Sequence, residues 1–298
     1  MRRRRSRRCG TCSCTWASRA TRRPGRAPRS WKTPGAEFGG AANVLSTKVR
    51  SGSAHLPHPR RGRMTKLRIA AMALGCALPL AALAADGSIE GTVDFAGKPP
   101  TPVKLHREAD PYCAKKPMTD PSVLVKNGKL ENVWVHVSKG ASGSAKADTS
   151  KPVEMDQKDC MYTPRMTTAV VGQKIQAKNA DPVLHNVHTY LGATTVFNKG
   201  MPNEKTPPIE YVAKEEGMMR WKCDVHPWMR GYIGISKNGL QAVSGADGSF
   251  KIDNVPPGKY TVESWHEKYG TKTQEVTVEA GKPAKATFKY DGTEKATG

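Results

Sequence analysis

From Gly87 to Tyr290 the chain is a succession of short segments rich in β-branched and aromatic residues, bounded by Gly, Pro, Asn or Asp. GSIEGTVDF, ENVWVHV, KIQAKN, GYIGIS, GSFKI, KYTVESW, QEVTVEA and KATFKY all have strand-like length and content. No long stretch carries the apolar period of an amphipathic helix. The pattern predicts an all-β protein made of packed sheets.

The 298 residues include 48 Lys plus Arg against 26 Asp plus Glu, a formal charge of +22. Taken whole, that balance suggests a nucleic-acid or membrane-surface binder. Its distribution removes the suggestion. Residues 1–63 hold 17 basic residues and one acidic residue, Glu37, whereas from Ala85 onward 29 basic residues face 25 acidic ones. The excess belongs to an Arg-, Ser-, Gly- and Pro-rich stretch over 1–63, which is expected to be disordered or a mis-annotated extension.

Met64 then opens a different segment. Lys66 and Arg68 precede an apolar run from Ile69 to Leu80 and the small-residue site Ala82-Leu83-Ala84, the layout of a secretory signal peptide over 64–84. A signal belongs at the start of a chain, so translation is expected to begin at Met64. The run is too short and Ala-rich for a stable membrane span. A lipid anchor at Cys76 is the alternative, but Ala73-Leu74-Gly75 matches the usual Leu-led box poorly. The expected destination is periplasmic or secreted.

Export sets the redox compartment. Of seven cysteines, Cys9, Cys12 and Cys14 lie in the extension and Cys76 in the signal, which leaves Cys113, Cys160 and Cys223. In an oxidising compartment two should pair, and one remains over.

Near the C-terminus, Asp247-Gly248 is expected as a hairpin turn between strands, and Pro256-Pro257-Gly258 as a tight corner before another strand. This part resembles the carboxypeptidase regulatory-like domain, a small transthyretin-like sandwich. That family opens with a G-x-V strand and a second strand, which here stand far upstream as Gly91-Thr92-Val93 with Gly97 to Pro99, and as Val133 to Val137. The resemblance implies a split sandwich over 85–138 and 239–290, a domain inserted over 139–238, and a tail at 291–298. Three loosely joined β segments are the simpler alternative.

The insert carries the chemistry. His185-Asn186-Val187-His188 is followed much later by Cys223-Asp-Val-His226-Pro227-Trp228-Met229. Two imidazoles, a thiolate and a thioether are the donors of a trigonal copper site with a long axial Met. Cys-x2-His-x2-Met puts three donors on one short loop, and His185 is the fourth, from a distant strand end. Each donor also has a structural reading. Cys223 and Met229 suit a core, His226 suits a surface, and His185 suits a satisfied strand end.

The pattern resembles the cupredoxin family, with the ligand-loop spacing of its amicyanin branch. The stretch from Tyr162-Thr-Pro164 through Val171-Gly172-Gln173 and Asn179 to His188 fits the same family. With the C-terminal module, the chain resembles exported methylamine-utilisation-type proteins. The resemblance implies a Greek-key sandwich holding one type 1 copper on His185, Cys223, His226 and Met229. Around the metal it implies Asn186, which fastens the Cys223 loop, and Pro227 and Trp228 flanking His226. His226 would be the ligand nearest the surface, in an apolar collar that meets a redox partner transiently. Cys113 and Cys160 would then form the disulfide.

His188 is three residues from His185 in an extended strand, so it should face away from the metal. His266 reads as a strand residue of the other module, and His106 and His136 show no partner spacing. The expected function is single-electron transfer between redox partners, without enzymatic activity. Copper storage or delivery, or a scaffold or adhesion role, are the alternatives. The sequence does not address carbohydrate binding.

Overall fold

The computed structural model describes residues 85–142 and 149–296, so the extension 1–63 and the signal segment 64–84 lie outside the described residues. The described residues are nearly all β, with four sheets and a single short helix, Pro111–Ala114. That helix is far too short to cross a membrane.

Two sheets face each other over one apolar core. In the first, Gly87–Phe95 pairs antiparallel with Ser249–Val255 and parallel with Pro283–Tyr290, and reaches the small hairpin Val125–Lys126 and Lys129–Leu130 through Asp94. The parallel partner runs so close that a Cβ on Gly91 would lie 1.6 Å from the Ala286 carbonyl oxygen. Only glycine fits there. The second sheet has the order Gln241–Val243, Trp134–Lys139, Gly258–His266, Gly270–Val278. Along Gly258–His266 the residues Tyr260, Val262, Ser264 and His266 are buried and their neighbours are not, the period of two of a half-buried strand. Ile89, Val93, Val135, Phe250, Ile252, Val262 and Phe288 fill the core.

The Asp247-Gly248 turn departs from expectation. Gln241–Val243 and Ser249–Val255, the strands it joins, lie in different sheets, so it turns a corner and makes no hairpin. Ser244 holds one side, accepting from Val133 N and donating to Leu130 O, while the Gly248 carbonyl accepts from Val93 N in the opposite sheet.

Residues 153–236 form the other two sheets. One has the order Thr194–Met201, His185–Leu191, Gly217–Lys222, Arg230–Ser236, Met166–Val170; the other, Ile209–Val212, Lys174–Asn179, Val153–Lys158, Met161–Thr163. Met155, Ile175, Val187, Met219, Trp221 and Ile233 are buried between them, together with Cys223 and Met229. Trp134 of the first sandwich packs on Gly234 of the second so tightly that a Cβ there would lie 2.4 Å from the indole ring.

Residues 100–122, expected within the first part of the split sandwich, add no strand to its sheets. They form a strap with one isolated bridge, Lys104 to Thr119, and the helix Pro111–Ala114. Pro100, Pro102, Pro111, Pro117 and Pro121 deny it the N–H groups a ladder needs. Cys113 on this strap is buried in the core of the second sandwich.

Candidate metal centre

The loop before His185 is shaped by Asn179, whose Nδ2 donates to Val183 O at 3.0 Å and to Met201 O at 2.9 Å, and whose Oδ1 accepts from Asp181 N at 3.0 Å. His185 then opens its strand fully buried. The turn Asp159-Cys160, with φ of 55° at both residues, joins Val153–Lys158 to Met161–Thr163 and aims two amides at one carboxylate. Asp159 N donates to Asp181 Oδ1 at 2.8 Å and Cys160 N to Asp181 Oδ2 at 2.7 Å. The same Oδ2 lies 2.8 Å from His185 Nε2.

Cys223 follows the strand Gly217–Lys222 and begins the second ligand loop. Cys223 N donates to Met229 O at 3.2 Å, and Met229 N donates to His226 O at 2.9 Å, which closes the loop on itself. Asn186 ties it to the His185 strand: its backbone N–H donates to Cys223 Sγ at 3.4 Å, and its Oδ1 accepts from Asp224 N at 2.6 Å. Beneath them the buried Tyr162 hydroxyl shares its one proton between Asn186 O at 2.7 Å and Lys222 O at 3.1 Å.

These elements bring three donors together. His185 Nδ1 and His226 Nδ1 are 2.9 Å apart, and Cys223 Sγ is 3.8 Å from His226 Nδ1. One ligand atom from each of the three buried residues lies within 4.8 Å of the others. Met229 is fully buried in the same core cluster as Cys223. Burial pushes the Cys223 thiol up, but hydrogen bonds from His185, His226 and the Asn186 amide outweigh it and bring it down to about 6. Burial pushes His185 down, yet Asp181 and Cys223 leave it raised.

The donor set fits a metal cation. His185 Nε2 faces Asp181 and His226 Nε2 faces Asp110 Oδ2 at 3.3 Å. Burial pushes both carboxyls up, but hydrogen bonds hold both below the usual range. An ionised carboxylate only accepts, so the tautomer that satisfies both carboxylates is the one with the proton on Nε2, and in it each ring turns the Nδ1 lone pair inward. Two such lone pairs converging 2.9 Å apart beside a free, buried thiol suit a cation between them. Two neighbouring clusters, Asp110 with Cys113 and His226, and Cys160 with Asp181 and His185, offer no such set. Cys113 and Cys160 are bonded to each other, S–S 2.00 Å, and have no thiolate to give.

The other histidines are elsewhere. His188 turns outward to Asp224, 2.9 Å from Oδ2, and stacks on Tyr190. His266 is buried against Tyr269, His136 stacks on Trp134, and His106 is exposed beside Glu108. His226, expected to face the surface, is buried. His226 is 2% exposed because the strap lies over its outer edge, and Trp228 donates its indole N–H to Cys160 O at 3.0 Å beneath Arg107. Pro227 alone of the flanking pair is exposed. Asp110 and Asp181 escaped the sequence reading. Asp181 stands four residues before His185 in a turn, which is a usable signal, whereas nothing local marks Asp110.

The chain is similar to solved cupredoxins. A purple cupredoxin from Nitrosopumilus maritimus is 24% identical, covering 28% of this chain and 99% of its own, with a TM-score of 0.25. Amicyanin from Paracoccus versutus is 19% identical, covering 34% of this chain and 96% of its own, with a TM-score of 0.26. No curated protein matches the chain in sequence. Residues 235–290 match the carboxypeptidase regulatory-like domain, so the strands that follow the ligand loop carry that module.

Proposed function

We propose that the chain is an exported mononuclear type 1 copper protein that passes single electrons between redox partners. The observation that carries this reading is the convergence of His185 Nδ1 and His226 Nδ1, 2.9 Å apart, beside the one free, buried thiol among the described residues, Cys223. Met229, closing the same loop, would supply the axial thioether. Copper bound there would supply one-electron chemistry by alternating between its two oxidation states. The chain's own part is to hold the donors still. Asp181 fixes one imidazole, Asn186 pins Cys223 to the neighbouring strand, and Tyr162 braces both strands from below. Rigid donors limit rearrangement on transfer.

The Cys113–Cys160 disulfide supports export to a periplasmic or extracellular setting, as does the sequence of residues 64–84. We also infer that the regulatory-like sandwich is split by the cupredoxin-like insert, because strands from 87–139 share sheets with strands from 241–290 while 153–236 pair among themselves.

One observation favours a second reading. The covered edge of His226 suits a copper store or carrier as much as an electron carrier. Redox cycling separates the two: an electron carrier keeps its copper through repeated reduction and oxidation, and a store releases it as Cu(I).

A further inference from the structure

The strap over His226 is fastened at many points. Cys113 is bonded to Cys160, Lys116 Nζ pairs with Asp159 Oδ2 at 2.6 Å, and Tyr112 donates its hydroxyl to Asp181 Oδ1 at 3.1 Å. Arg107, 2% exposed, donates to Lys116 O at 2.7 Å and to Asp159 O. Leu105 N to Met118 O and Asp120 N to Val103 O close its base. The turn Asp159-Cys160 therefore serves both imidazoles: its amides hold Asp181 against His185, and its disulfide holds the strap that carries Asp110 to His226.

Asp110 divides its carboxylate between two tasks. Oδ1 caps the helix Pro111–Ala114, accepting from Tyr112 N at 2.8 Å and Cys113 N at 3.0 Å. Oδ2 is left for His226 Nε2, at 3.3 Å. We propose that Asp110 is a positioning residue for the metal centre: from a strap outside the second sandwich it holds His226 by its outer nitrogen, turns Nδ1 inward, and closes the ligand's edge. The inference rests on the copper reading above for what the inward Nδ1 binds. The ring's orientation and proton do not depend on that reading.

The test uses Asp110→Asn and Asp110→Ser, both competent helix caps. Asn presents an N–H where Oδ2 accepted, and Ser presents nothing that reaches. The cap is kept in either variant, so metal-free melting should fall only by the loss of the one bond to His226 and the fold should persist. Zn(II) and Cu(II) affinity, read by chelator competition, should fall about 10- to 100-fold. Nitrogen NMR of the metal-free wild type should find the His226 proton on Nε2, and the variants should lose that preference. Wild-type affinity in both variants overturns the proposal. So does a wild-type ring that carries its proton on Nδ1 alone, a result that stands even if neither variant folds. If the wild type binds Zn(II) but forms no thiolate–copper chromophore, the copper reading fails while the ring NMR and Zn(II) data still decide the role of Asp110.

Discussion

Arg165 and Glu267, separated by 102 positions in the chain, form a two-pronged ion pair across the seam between the sandwiches: Nε to Oε1 at 2.5 Å and Nη2 to Oε2 at 2.7 Å. Tyr232 adds a hydroxyl to Oε2 at 3.0 Å, and both charged side chains are under 10% exposed, at 9% and 7%. Removing one partner of such a pair leaves the other charge buried. Glu267→Ala should therefore cost about 3–5 kcal/mol in chemical denaturation. A loss of less than about 1 kcal/mol would mean that the seam opens to water without the pair.

The disulfide closes a span of 47 residues, and on the chain-entropy model it contributes roughly 4 kcal/mol. Cys113→Ala with Cys160→Ala should lose a large part of that. It should also make the strap 100–122 exchange its amide hydrogens faster than the strands on either side. Unchanged exchange there would show that Arg107 and Lys116 suffice to hold it.

Acid should weaken the fold through two histidines that are not among the metal donors. Burial pushes His266 down to about 3 and His136 down to about 4, so both are neutral when folded and gain a proton more readily when unfolded. Their contribution is complete above about pH 6.5 and is lost as pH falls toward the folded values, at up to about 1.4 kcal/mol per pH unit for each. Denaturation midpoints at pH 7, 6, 5 and 4 read this directly. His266→Phe should flatten the decline, and an equal slope in the variant would assign the loss to other groups.

Tyr162 braces the Cys223 strand and the His185 strand by one hydroxyl, so Tyr162→Phe removes the one proton that both carbonyls share. The expected cost is about 1–3 kcal/mol of stability. Copper loading should persist with a shifted spectrum, because the donors remain and only their support is loosened. A spectrum and stability identical to wild type would remove Tyr162 from the account.

The parts legible in the sequence are those with a local rule. Alternation along Gly258–His266 marks a strand, and the face assignments of His185 and His188 follow from the same period of two. The spacing from Cys223 to Met229 anticipates a closed loop, and its backbone bonds make one. What the sequence conceals depends on distant pairing. Asp247-Gly248 reads as a turn, but whether it makes a hairpin depends on Val93 and Ser244 binding its two sides from opposite sheets. Asp110 stands 116 positions before His226, and only the folded strap brings them together. For the same reason the covered edge of His226 was invisible, while the apolar neighbours Pro227 and Trp228 pointed to an open one.

The most direct test is an optical and electron-paramagnetic-resonance titration of the purified chain from Ala85 onward with Cu(II), beside Cys223→Ala. The account predicts one equivalent of copper, an intense visible thiolate-to-copper absorption, and loss of that band in the variant. A weak band of ordinary Cu(II), or a spectrum indifferent to Cys223, would contradict it.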